Sequence, residues 1–112
     1  MFSWQEKLAR RKGQFVERCW QRLAELGELV KKLADDPTDS AVLRQISQHF
    51  HQMAGAGGIY EMNDFCRLCI EAEDFVRGLS GPQVNARACD IERLRGILSF
   101  IESSLLNESR PE

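Results

Sequence analysis

The chain has 112 residues, 43% of them hydrophobic and 29% charged, which suits one globular domain around one core. Its net charge of −2 argues against a nucleic-acid partner, which would call for a basic surface. No apolar run approaches the ~20 residues needed to cross a membrane, so no membrane partner is expected either.

The opening stretch MFSWQEKLARRKG lacks the form of a signal peptide. With four cysteines and no export signal, a cytoplasmic location and free thiols are expected. Ser3-Trp4-Gln5-Glu6 has the form of a capping box. From there a helical pattern runs to about Ala34, with Leu8, Phe15, Cys19, Leu26, Val30 and Leu33 in register. Gly13 is expected to be able to divide it into a short extra N-terminal helix and a long second one. Residues 1–34 hold eight Lys/Arg against four Asp/Glu, which reads either as a solvated helix face or as a polarity for docking a partner.

Asp35-Asp36-Pro37-Thr38-Asp39 is a stop and turn, and Asp39 or Ser40 caps the next helix, which ends around Tyr60. Another starts at Asn63 or Asp64, with Phe65, Leu68, Cys69, Ala72, Val76 and Leu79 inward. Ser80-Gly81-Pro82 breaks the chain again. A last helix is expected from about Val84 to Leu106, with Val84, Ala88, Ile91, Leu94, Leu98, Ile101 and Leu105 in a near-heptad stripe. Asn107 to Glu112 reads as a frayed end or the start of a linker, leaving 1–106 as the domain. Nothing alternates with period two. The expected fold is all-α, an antiparallel up-and-down four-helix bundle.

The second of these long helices carries both histidines, in Gln48-His-Phe-His-Gln-Met-Ala-Gly-Ala-Gly-Gly-Ile-Tyr60. A glycine inside a helix costs roughly 0.5–1 kcal/mol relative to alanine. Three of them, Gly55, Gly57 and Gly58, do not serve helix stability alone. At roughly 100° per residue, Val42, Ile46, Phe50, Met53 and Gly57 share one inward sector. His49 lies on its edge. His51 faces outward among Ser47, Ala54, Gly55 and Gly58, an imidazole on a nearly bare surface that a large partner can approach. An imidazole titrates near neutrality and has two distinct ring nitrogens, so it suits a nucleophile or a proton carrier.

The segment His51-Gln-Met-Ala-Gly-Ala-Gly-Gly-Ile-Tyr-Glu61, continued to Phe65 and Glu73, resembles the H-x-L-[KA]-G-x-x-x-x-[FLY]-G signature of histidine-containing phosphotransfer (HPt) domains. The resemblance implies a phosphoryl group carried on His51 and exchanged with a receiver-domain aspartate or a histidine kinase. Arg44, Ser47, Gln48, Ala54, Gly55 and Gly58 would then form the docking surface. In an antiparallel hairpin turning near Met62, residues about ten from either side of the turn come level, which places Glu73 near His51. The family's chemotaxis kinases have a glutamate there, bonded to the histidine. A carboxylate on Nδ1–H would leave Nε2 to attack phosphorus. Two positions depart from the commoner pattern: the family's usual lysine is Ala54, and its glycine is Glu61. Alanine-type motifs resemble those fused to receiver or diguanylate cyclase domains, which is compatible with this chain being part of a larger protein.

Other readings stay open. Without phosphotransfer, the bundle would be a degenerate module that docks a receiver or kinase. Cys66-Arg-Leu-Cys69 reads as helix core, as half a zinc site or as a redox pair. His49 is expected to be structural and is the fallback nucleophile. There is no P-loop, G-x-S-x-G or protein-kinase signature, so a monomeric phosphocarrier, not an enzyme, is expected, with no metal or cofactor of its own.

Overall fold

A computed structural model describes residues 3–81 and 85–109. Four helices follow one another: α1 (Trp4–Asp35), α2 (Ser40–Gly57), α3 (Asn63–Leu79) and α4 (Ala88–Glu108), with a 3-10 turn at Gly58–Tyr60 between α2 and α3. Each packs on its chain neighbours, and α1 closes against α4. The result is an all-α four-helix bundle, and no strand occurs among the described residues.

α1 is a single helix of 32 residues. The break anticipated at Gly13 does not occur. One helical glycine costs only about 1 kcal/mol, and neither a proline nor a cap follows it to stop the chain. What changes near Gly13 is burial. The first core residue of α1 is Cys19, followed by Leu23, Leu26, Leu29, Val30 and Leu33. Leu8 stays half-buried, and Phe15 stacks on Tyr60 with ring centroids 5.2 Å apart. Leu29 and Val30 are buried side by side because α1 touches both α2 and α4.

The capping boundaries come from side chains. Ser3 Oγ accepts from Glu6 N at 3.1 Å. Asp39 Oδ1 accepts from Ala41 N and Val42 N, each at 3.1 Å, so Asp39 is the cap and Ser40 the first residue of α2. α4 begins later than the stripe suggested. Asp90 Oδ2 accepts from Arg87 N at 2.9 Å, which fixes the start at Ala88, and Val84 lies outside the described residues. Ala88 is exposed rather than inward. Ala86 is buried instead, its N–H donating to Pro37 O at 3.0 Å, which ties this loop to the α1–α2 turn.

The other end of α4 also differs from expectation, since Asn107 and Glu108 are helical. Glu108 reaches across to α3, where its two carboxylate oxygens accept from Asp64 N and Phe65 N, both at 3.1 Å. Met62, the N-cap residue of α3, contributes no side-chain bond, so Glu108 stands in for the missing cap. Glu108→Ala is expected to lower stability by about 1 kcal/mol, as for loss of an N-cap. Thermal unfolding measures it. An unchanged melting midpoint would mean that water caps α3 equally well.

Glu61 has φ 59° and ψ 26°, the left-handed conformation that favours glycine and costs other residues roughly 1–2 kcal/mol. Here the family pattern has glycine. The turn is thus kept with a glutamate in it, and Met62 just beyond is fully buried with its N–H bonded to Gly57 O at 3.1 Å. No helix among the described residues is long and apolar enough to cross a membrane.

Candidate functional site

α2 separates the two histidines by what they touch. Its core residues Val42, Leu43, Ile46, Phe50, Met53 and Gly57 fix the rotation of the helix. That rotation turns His51 outward, with 67% of its side chain exposed, and leaves His49 at 15%.

His49 is occupied on both nitrogens. Arg22 Nη1 lies 3.2 Å from Nδ1, and Glu25 Oε2 lies 3.2 Å from Nε2. A guanidinium can only donate, so Nδ1 accepts and the proton sits on Nε2, toward Glu25. Burial holds the imidazole below its ordinary pKa, Glu25 opposes the shift, and Arg22 adds to it. Its neutral form is thus favoured in the folded state. The unfolded chain takes up the proton first as pH falls below about 6.5, so stability drops through that window. Between about pH 7.5 and about pH 5.5, the wild type should lose more thermal stability than His49→Gln. Equal losses would show that His49 does not couple folding to pH.

His51 has a different environment. Glu73, on α3, is buried with only 10% of its side chain exposed, and its Oε2 lies 2.9 Å from His51 Nδ1. The two residues thus stand level across the hairpin. A carboxylate accepts and does not donate, so the proton of a neutral ring belongs on Nδ1 and the lone pair on Nε2. Among the described residues nothing bonds to Nε2. Arg77, one turn further along α3, brings Nη2 within 3.0 Å of the same Glu73 oxygen. That oxygen is shut off from solvent, and neither approach has the angular geometry of a full hydrogen bond, so both contacts are electrostatic, one from the guanidinium charge and one from the N–H dipole of the ring.

The surface around His51 is low, but its glycines have separate reasons. A Cβ on Gly57 would stand 3.1 Å from Cys66 Cβ, whereas among the described residues one on Gly55 or Gly58 would meet nothing within 4 Å beyond its own helix. Gly57 lets α2 and α3 approach closely. Among the described residues no packing contact accounts for Gly55 or Gly58, which are both exposed. Arg44 and Gln48 are also exposed, Ser47 is half-buried, and Ala54 is half-buried against the core.

The cysteines take up the packing of this hairpin. Cys66 Sγ donates to Ala54 O at 3.1 Å, joining α3 to the turn of α2 that follows His51. Cys19 and Cys69 are buried. Burial pushes the Cys19 thiol up to about 12 and the Cys69 thiol up as well, so both stay protonated and inert. Among the described residues no group of three or more His, Cys, Asp or Glu could hold a metal ion.

Sequence reasoning missed Arg77, although its i,i+4 spacing from Glu73 was the available signal. It also missed the Arg22–His49–Glu25 cluster, whose partners lie on another helix.

The Hpt domain family matches residues 12–105 of the chain, from the first third of α1 to the last turn of α4. The chain belongs to the Hpt domain family. Such domains are phosphocarrier modules of two-component signalling that interact with receiver domains and histidine kinases. No curated protein and no solved structure matches the chain.

Proposed function

We propose that the protein carries a phosphoryl group on His51 Nε2, in exchange with a receiver-domain aspartate or a histidine kinase. The observation that carries this reading is the pairing of an exposed His51 with a buried Glu73 at 2.9 Å through Nδ1. The Nε2 lone pair attacks the phosphorus of an aspartyl phosphate, the N–P bond forms, and the P–O bond to the aspartate breaks with the carboxylate as leaving group. The ring, still holding its Nδ1 proton, becomes an imidazolium, and Glu73 lies where its charge offsets that positive charge. Reversing the steps returns the phosphoryl group. The partner's receiver supplies the aspartate and Mg²⁺, so this chain needs no metal, cofactor or catalytic machinery of its own.

The exposed Gly55 and Gly58 support a partner that closes over the imidazole, with Arg44, Ser47, Gln48 and Ala54 as the remaining docking surface. The protein acts in the cytoplasm as a monomer. To test the reading, a phosphorylated receiver is mixed with the purified chain and the phosphoryl group is followed. Acid-labile, alkali-stable labelling of this chain supports it. Stable complex formation without labelling would favour a module that docks a partner and carries no phosphate.

A further inference from the structure

We infer that Arg77 is a positioning residue of this site: by sharing one Glu73 oxygen with His51, it holds the carboxylate against Nδ1 and so keeps the lone pair on Nε2. The inference rests on His51 being the phosphoacceptor and extends the site to a residue outside the motif.

Glu73 is a carboxylate in a poor place for one. Its side chain is 10% exposed, and Oε2 has no access to solvent. A buried carboxylate must be compensated by a charge or by hydrogen bonds. A neutral imidazole offers one N–H and no charge. The full positive charge in contact with this oxygen is Arg77, at 3.0 Å, in the favourable order of glutamate four residues before arginine on one helix. The contacts of 2.9 and 3.0 Å to one oxygen put the guanidinium within about 6 Å of His51 Nδ1.

The charges then account for both states. Before transfer, the neutral ring, Glu73 and Arg77 sum to zero. During transfer the ring becomes cationic, and Glu73 is already in place to accept its charge. Without Arg77 the carboxylate is free to turn toward solvent, and a released imidazole in water favours the opposite tautomer, with the proton on Nε2. That tautomer has no lone pair at the exposed nitrogen. Arg77 is itself 63% exposed, so its removal opens no cavity in the core, and any cost comes from leaving Glu73 without its cation.

The test uses the full chain with 15N-labelled histidine and a phosphorylated receiver. Two-bond 15N–1H correlation spectra report which His51 nitrogen holds the proton. Transfer rates are measured across receiver concentrations. The wild type should show the Nδ1–H form. Arg77→Ala should shift His51 toward Nε2–H and lower the rate at saturating receiver by roughly tenfold, the size expected for an outer partner that orients a reacting group. Half-saturation should move less than about twofold, because docking is separate from orienting. Arg77→Lys should restore most of both effects. An unchanged tautomer and saturating rate in Arg77→Ala would overturn the inference, as would an effect confined to half-saturation, which marks a docking contact. If the spectrum responds to Arg77→Ala but neither wild type nor variant takes up phosphoryl, the proposed function falls while the tautomer coupling stands.

Discussion

His51→Gln is expected to abolish acid-labile phosphorylation of the chain while its helicity and melting temperature stay at wild-type values. The side chain is 67% exposed, so the change in stability should be under about 0.5 kcal/mol. The loss of labelling, by contrast, should be complete. His49 cannot take over, because Arg22 and Glu25 occupy both its nitrogens. Labelling that survives in His51→Gln and disappears in His49→Gln would move the site to the half-buried histidine, against the contacts seen there.

Gly55→Leu and Gly58→Leu should separate folding from function. Among the described residues neither position has a neighbour outside its own helix within 4 Å of an added Cβ, and Gly58 has an ordinary helical φ of −66°. Leucine is the better helix former, so Gly55→Leu should stabilise the protein by roughly 0.5–1 kcal/mol. Each side chain nevertheless stands one or two turns from His51, on the side a receiver would cover under the proposed function. A displacement of the reacting atoms by about 1 Å can cost on the order of a hundredfold, and transfer to either variant should fall by at least that much. Gly57→Leu is the contrasting control. It drives a side chain into Cys66, 3.1 Å away, and should destabilise the α2–α3 packing. Normal transfer in both exposed-site variants would mean that the bare surface serves no partner.

The bundle was legible because its signal repeats along each helix. Ile46, Phe50 and Met53 on α2, and Leu94, Leu98 and Ile101 on α4, are all buried, as a 3.6-residue period requires. Termini were less legible. The start of α4 depends on Asp90 reaching back to Arg87, a local contact that overrides the apolar stripe running back through Ala88. The cap of α3 comes from Glu108, 44 residues away, and no local pattern announces such a contact. The level pairing of His51 with Glu73 followed from counting residues around one turn. The spacing of Arg77 from Glu73 was visible, but that it meets the same Glu73 oxygen as His51 is set by how α3 packs on α2. Glu61 shows the converse: a departure from the family motif leaves the turn in place, with its cost carried as a left-handed glutamate.

On the proposed function, phosphorus bonds to one particular nitrogen, His51 Nε2. Protein labelled with 15N-histidine, phosphorylated by its receiver and examined for 31P–15N coupling, tests it most directly. The predicted result is a single phosphohistidine, at residue 51, with phosphorus coupled to Nε2 and the proton retained on Nδ1 against Glu73. Phosphorus coupled to Nδ1, or carried on His49, would contradict it.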